Sequence, residues 1–237
     1  MSDLEYLKKY LPKDKLEEGI KRLENGEPVQ YIVGNVDFYG YLLSVNPSVL
    51  IPRFETELLV EKTINYSKKF FSCPKILDLG TGSGCIAIAL KKELKSIVDA
   101  IDLSNKALEV AKKNAKENDA DISFWQSDLF SNVQDTYDII ISNPPYLEEE
   151  EEIMDIVRNN EPKEALFAPN HGLEIYERIF KDAHKYIQKK ALLAFEIGYR
   201  QGPILKTMAQ KYFDHALVEK DYSGKDRFLF LFVGIKP

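Results

Sequence analysis

The stretch "DLGTGSG" (Asp78 to Gly84) follows the apolar residues of "KIL" and runs directly into "CIAIAL", so a buried strand passes through three glycines into a buried helix. A glycine-rich turn at a strand-to-helix junction is where parallel sheets bind nucleotides, because a backbone without side chains lets a ligand come close. Outward from it the same alternation continues. The pattern predicts helix 55–70, strand 75–80, helix 84–94, strand 96–102 and helix 104–117, then strands 121–128 and 137–142. A helix within 172–189, strand 191–198, helix 201–212 and strands 215–221 and 226–234 complete it. Strands separated by helices predict an α/β fold with a mainly parallel, doubly wound sheet covered on both faces. The last two strands have no helix between them, which predicts an antiparallel edge.

Ahead of this region, residues 3–10 and 13–25 place Leu4, Leu7, Leu11, Leu16, Ile20 and Leu23 at roughly helical spacing, with Pro12 between the two segments. Residues 1–26 are read as a short helical segment. Residues 27–50 are rich in aromatic and β-branched types with Gly34 and Gly40 as turn sites, and are read as a β-hairpin linker before a domain over 51–237.

With 237 residues the chain can bury one substantial core. No apolar run approaches the roughly eighteen residues of a membrane helix, and the N-terminus lacks a signal-peptide core, so a cytoplasmic protein without membrane contact is expected. Cys73 and Cys85 have neither redox nor metal-ligand spacing, and the three histidines are scattered, so no metal or disulfide is expected. Cys85 reads as a small buried residue of its helix. The net charge of −6 disfavours non-specific adhesion to nucleic acid. A monomer is the default expectation.

The spacing Gly80-Thr81-Gly82-Ser83-Gly84 is G-x-G-x-G rather than the G-x-G-x-x-G of dinucleotide folds, and Asp78 precedes it. Asp102 ends the next strand about twenty residues on, where a carboxylate can accept hydrogen bonds from both ribose hydroxyls. Asp128, beside Trp125, Leu129 and Phe130, ends the third strand and suits an adenine slot. Three strand ends thus converge on one adenosine, a reading that NAD would share in its first two features.

"SNPPY" (Ser142 to Tyr146) stops the strand "YDIII". Pro144 and Pro145 cannot donate ladder hydrogen bonds, and their fixed φ holds the Asn143 side chain and the Pro144 carbonyl as two rigid acceptors. Two acceptors suit a planar NH2 group, whose nitrogen they orient, and Tyr146 can cover its face.

These residues resemble the class I S-adenosylmethionine-dependent methyltransferases that act on planar NH2 groups. The order of "PVQYIVGNVDFYG", "VLIPRFETE", "DLGTGSGCIAIAL", "SNPPY", "EPKEAL", "EIGYRQG" and "SGKDRF" resembles the release-factor glutamine N5-methyltransferases, the HemK/PrmC family, from about residue 16 to the end. The resemblance implies a seven-stranded Rossmann-like class I methyltransferase sheet. It implies methyl transfer from S-adenosyl-L-methionine, leaving S-adenosyl-L-homocysteine, to the Gly-Gly-Gln glutamine of bacterial class I peptide-chain release factors. By matching motif, Gly80, Gly82 and Gly84 fall at the methionine end of the cofactor, Asp102 at its ribose, and Asp128 with Leu129 at its adenine. Asn143 to Tyr146 hold the target amide, and Arg53 and Glu57 close the cofactor pocket.

The family usually begins with a multi-helix N-terminal domain that helps dock the release factor, whereas about twenty-five residues precede the hairpin here. Phe54 stands where proline is usual, and His171 where aspartate is. The rival readings are glutamine methylation of a ribosomal protein, adenine-N6 or guanine-N2 methylation of nucleic acid, a silent S-adenosylmethionine-binding partner and a nicotinamide dehydrogenase. The run Glu148 to Glu152, read as a solvated helix start, opposes phosphate near the target site.

Overall fold

The structure, a computed structural model, describes residues 2–237. Helices Asp3–Tyr10, Leu16–Glu24 and Val29–Val33 pack around Leu7, Val29 and Ile32. Ser2 and Glu5 close the first turn as a reciprocal cap, each side chain taking the other's backbone N–H. The hairpin is shorter than the 27–50 expected, pairing only β1 (Asn35–Phe38) with β2 (Tyr41–Ser44). The β-branched residues before it form a helical turn instead, entered at Pro28 and stopped by Gly34 at φ 83°. Local capping overrides strand propensity there.

After helix Phe54–Phe70, the sheet is built from β3 (Lys75–Leu79), β4 (Ile97–Asp102), β5 (Ser123–Gln126), β6 (Tyr137–Ser142), β7 (Ile187–Glu196), β8 (His215–Lys220) and β9 (Asp226–Val233). Its order is β5-β4-β3-β6-β7-β9-β8. β9 runs antiparallel to both β7 and β8, giving the antiparallel edge, and the remaining pairs are parallel. From β3 the chain winds outward through β4 and β5, then returns to place β6 on the other side of β3. That reversal opens a crevice at the carboxyl ends of β3 and β6.

Strand alternation assigns the two faces. Ile76, Val98, Ile139, Ile141, Leu192 and Phe230 point to one layer, with helices Phe54–Phe70 and Cys85–Glu93. Leu77, Leu79, Ile140, Leu193, Phe195 and Leu231 point to the other, with Glu174–Asp182 and Gly202–Ala209. Both faces are dry, so the central strands read as continuous apolar runs.

Two expected elements differ. The helix expected within 172–189 runs over Glu174–Asp182, but the strand expected from 191 starts already at Ile187, because Ile187 pairs with Tyr137 across an irregularity in the ladder. The Glu148–Glu152 run is not a helix start. It forms a turn whose carbonyls at Glu149 and Glu151 accept from Arg158, and the helix begins only at Asp155.

Glu161 holds the lead-in to the first long helix. Its buried carboxylate accepts from the Ile51 N–H at 3.1 Å and from the Arg53 guanidinium. Replacing Glu161 by Gln removes the charge from both bonds and is expected to lower stability by about 1.5–3 kcal/mol, the usual worth of a charge-assisted hydrogen bond. A urea midpoint equal to that of the wild type would contradict this.

Candidate active site

The glycine turn is held from beneath. The N–H groups of Gly80 and Thr81 both donate to the Ile101 carbonyl at 2.9 Å, tying the end of β3 to the end of β4. Gly80 and Gly82 adopt φ of 73° and 54°, and a Cβ on either would meet nothing within 4 Å, so open space lies over the turn. Gly84 is different: at φ 83° its missing Cβ would lie 3.2 Å from that of Ala111, so it serves packing between helices.

Asp78 is fully buried. Its Oδ2 accepts from the Thr81 hydroxyl at 2.6 Å, while among the described residues Oδ1 has no partner, nor has the Ser83 hydroxyl. Burial, which disfavours the charged form, pushes the Asp78 carboxyl up to about 7. Asp102 accepts from the Gly82 N–H and the Ser104 N–H, both at 2.8 Å, one at each oxygen, and burial raises its pKa too. Each of those oxygens retains a second lone pair for a hydroxyl.

Ser142, the last residue of β6, donates to the Leu79 carbonyl at 2.7 Å, so the corner starts level with the glycine turn. Asn143 Nδ2 donates to Thr56 Oγ1 at 3.1 Å, and Thr56 Oγ1 donates to Glu196 Oε2 at 2.7 Å. Tyr146 donates its phenol to Glu196 Oε1 at 3.3 Å, and Tyr176 donates to the Glu196 carbonyl at 2.6 Å. Glu196 is buried at the end of β7, and desolvation pushes its carboxyl up to about 7. Gln201 Nε2 holds the Tyr146 carbonyl at 3.1 Å. Gly172, at φ 72°, lies so close that a Cβ there would stand 2.0 Å from that carbonyl. Beyond Tyr146 opens a cavity of about 510 Å³ lined by Glu148, Glu150, Glu152, His171, Arg200 and Arg227.

Several expected residues have other partners. Arg53 pairs with Glu161, and Glu57 accepts the Tyr39 N–H at the hairpin turn at 3.2 Å, so both brace the lead-in. Asp128 forms an ion pair with Arg178, both carboxylate oxygens lying at 2.8 Å, and with Leu129, at φ 47°, borders a separate cavity of about 240 Å³. Sequence reasoning missed Thr56, Glu196 and Asn114. Glu196 carried a usable signal, an acidic residue ending an apolar strand, which is how Asp102 was found. Asn114 carried none: buried on helix Asn105–Glu117, it accepts from the Ser44 N–H and donates to the carbonyls of Ser44 and Ser83.

A seven-stranded sheet of this order, with a glycine turn and an Asn-Pro-Pro-Tyr corner on adjacent strand ends, defines a methyltransferase domain, and the profile of the "Methyltransferase small domain" family matches residues 54–222. Among solved structures, a Pyrococcus furiosus methyltransferase superposes with a TM-score of 0.61 at 18% identity, over 83% of this chain and 91% of that one. The Thermus thermophilus 16S rRNA N2 methyltransferase in complex with AdoMet and guanosine does so at 0.63 and 16%, over 84% of this chain and 49% of that one. These likenesses establish the fold.

Sequence relatives narrow it. The release factor glutamine methyltransferase of Bacillus anthracis is 41% identical over 223 residues, 90% of this chain and 79% of the relative. That of Lactococcus lactis is 43% identical over 219 residues, 90% of this chain and 80% of the relative. The chain belongs to the release factor glutamine methyltransferase family.

Because the folded pKa of Asp78 lies above that of an unfolded aspartate, the folded chain holds this proton more tightly. The resulting stability is complete below the unfolded value of 3.8 and is lost as pH rises through about 7. Wild type should therefore lose up to about 4 kcal/mol relative to Asp78→Asn across that window. Parallel stability–pH curves for the two proteins would contradict the assignment.

Proposed function

We propose that this protein methylates the side-chain amide nitrogen of the glutamine in the Gly-Gly-Gln motif of bacterial class I release factors, using S-adenosyl-L-methionine. The observation that carries this reading is the direct parallel pairing of β3 with β6, Asp78 opposite Ile141, which opens the glycine turn and the Asn143 corner side by side. Family membership supplies the substrate class, since the relatives are named for release factor glutamine.

The residues of the turn fit such a cofactor. The unpartnered Asp78 Oδ1 offers an acceptor to a cationic amine, the space over Gly80 and Gly82 admits a close ligand, and Asp102 retains lone pairs for a ribose diol. Thr81, Ser83 and Gly84 frame the same turn. Asp128 would serve the adenine end while shared with Arg178, beside Leu129. When bound there, S-adenosyl-L-methionine supplies a methyl group on a sulfonium and leaves as S-adenosyl-L-homocysteine.

The chain's own part is orientation. A glutamine amide nitrogen is a weak nucleophile because its lone pair is delocalised into the carbonyl. Asn143 Oδ1 and the Pro144 carbonyl accept its two N–H bonds, which aims the nitrogen at the glycine turn and stabilises the positive charge that develops on it. Pro145 fixes the backbone and Tyr146 covers the planar group. An N-alkylated amide cation is acidic enough to release its proton to water, so no general base is required. The acidic mouth of the adjoining cavity, with Glu148, Glu150 and Glu152, favours a polypeptide over a phosphate backbone.

The test is incubation with labelled S-adenosyl-L-methionine and, separately, release factor, ribosomal proteins and RNA, with the label located by peptide mass spectrometry. Label is expected on the Gly-Gly-Gln glutamine. Asn143→Ala should lower kcat by roughly 10²–10³-fold, the scale of losing one charge-stabilising group. Label confined to ribosomal protein or RNA would overturn the substrate. Binding without transfer to any of them would make the chain a silent partner.

A further inference from the structure

We propose that Glu196, acting through Thr56, is a positioning residue that sets the hydrogen-bond direction at the corner, so that Asn143 presents its oxygen, and not its NH2, to the substrate. The inference rests on the amide-methylation reading and goes beyond it, because it concerns two buried groups that do not touch the substrate.

Thr56 has a single hydroxyl hydrogen, and Glu196 can only accept once it is ionised, the form it takes as pH rises through about 7. With Glu196 Oε2 at 2.7 Å, that hydrogen is committed to Glu196, so toward Asn143 the Thr56 oxygen can only accept. Asn143 must then turn its Nδ2 to Thr56, which it does at 3.1 Å, and the opposite end of the planar amide is Oδ1. An Asn side chain is nearly symmetric in shape, and packing alone does not distinguish its two orientations. Direction has to come from a partner of fixed polarity, and a buried carboxylate supplies it.

The other Glu196 oxygen applies the same rule to Tyr146, whose phenol donates to it at 3.3 Å. Both ends of the Asn-Pro-Pro-Tyr corner thus take their polarity from one group on β7. Glu55 and Arg227 lie within electrostatic reach of Glu196, the first opposing its charge and the second favouring it, while Tyr176 is engaged with its backbone carbonyl.

Two readouts test the relay. In the free protein, the side-chain amide protons of Asn143, identified by their loss in Asn143→Ala, should exchange slowly with solvent by NMR. Exchange should accelerate at least about tenfold in Thr56→Val and return to the wild-type rate in Thr56→Ser. In the transfer assay, Thr56→Val and Glu196→Gln should each lower kcat by roughly 10–100-fold, with KM for the release factor changed less than about threefold, and Thr56→Ser should recover activity.

Asn143 exchange unchanged in Thr56→Val overturns the proposal. So does a Thr56→Ser variant that is as stable as wild type yet as inactive as Thr56→Val, since the methyl group rather than the hydroxyl would then matter. If the wild type labels no glutamine, the function reading fails and the exchange measurement alone decides the relay.

Discussion

The parallel pairing of β3 with β6 is the constraint on which the rest of this molecule depends. Three registered pairs, Ile76 with Ile139, Leu77 with Ile140 and Asp78 with Ile141, bring together strands that lie about sixty residues apart in the chain. Such a contact forms only after a long loop closes, and the burial of apolar side chains on both faces of the sheet has to offset that loss of freedom. Once formed, it fixes two local structures that have no sequence proximity. The Ser142 hydroxyl on the Leu79 carbonyl extends the pairing past the last ladder bond, so the corner begins where the turn begins. Separation between the two is set by strand spacing, about 4.8 Å per strand, rather than by flexible side chains.

Around that junction the structure keeps an unusual inventory of buried acid. Asp78 lies one residue before the end of β3, Asp102 ends β4 and Glu196 ends β7, and burial raises the pKa of each. Burying carboxylates works against stability, and each is compensated differently. Asp102 is satisfied by backbone N–H groups, Glu196 by hydroxyls, and Asp78 only in part. Asp102 keeps a second lone pair on each oxygen and Asp78 keeps one oxygen idle, whereas Glu196 is engaged by the hydroxyls of Thr56 and Tyr146. Perturbed carboxylates of this kind cluster at functional sites.

Much of this was legible in the sequence because its signals are local. Apolar runs bounded by glycine or proline gave the strands, and the glycine turn and the proline corner each fix their own geometry within a few residues. The antiparallel edge followed from a missing helix. What failed to show was either dictated by distant partners or settled by a cap. Val29–Val33 has β-branched residues and is helical because Pro28 and Gly34 bracket it. The five glutamates form a turn because Arg158 gathers its carbonyls. Arg53 and Glu57 lay within a matched motif, yet their partners, Glu161 and the Tyr39 amide, come from 108 residues downstream and 18 upstream. Thr56, between them, looked like an ordinary helix residue until β7 placed Glu196 against it.

Asn114 has a consequence of a different kind. With its amide it grips Ser44 on the hairpin and Ser83 in the glycine turn at once, at 2.7–2.9 Å. The hairpin is therefore tied through one side chain to the turn over which a ligand would sit. Whatever seizes the hairpin is held at a set distance from the reaction centre, as if by callipers whose jaws cannot slide.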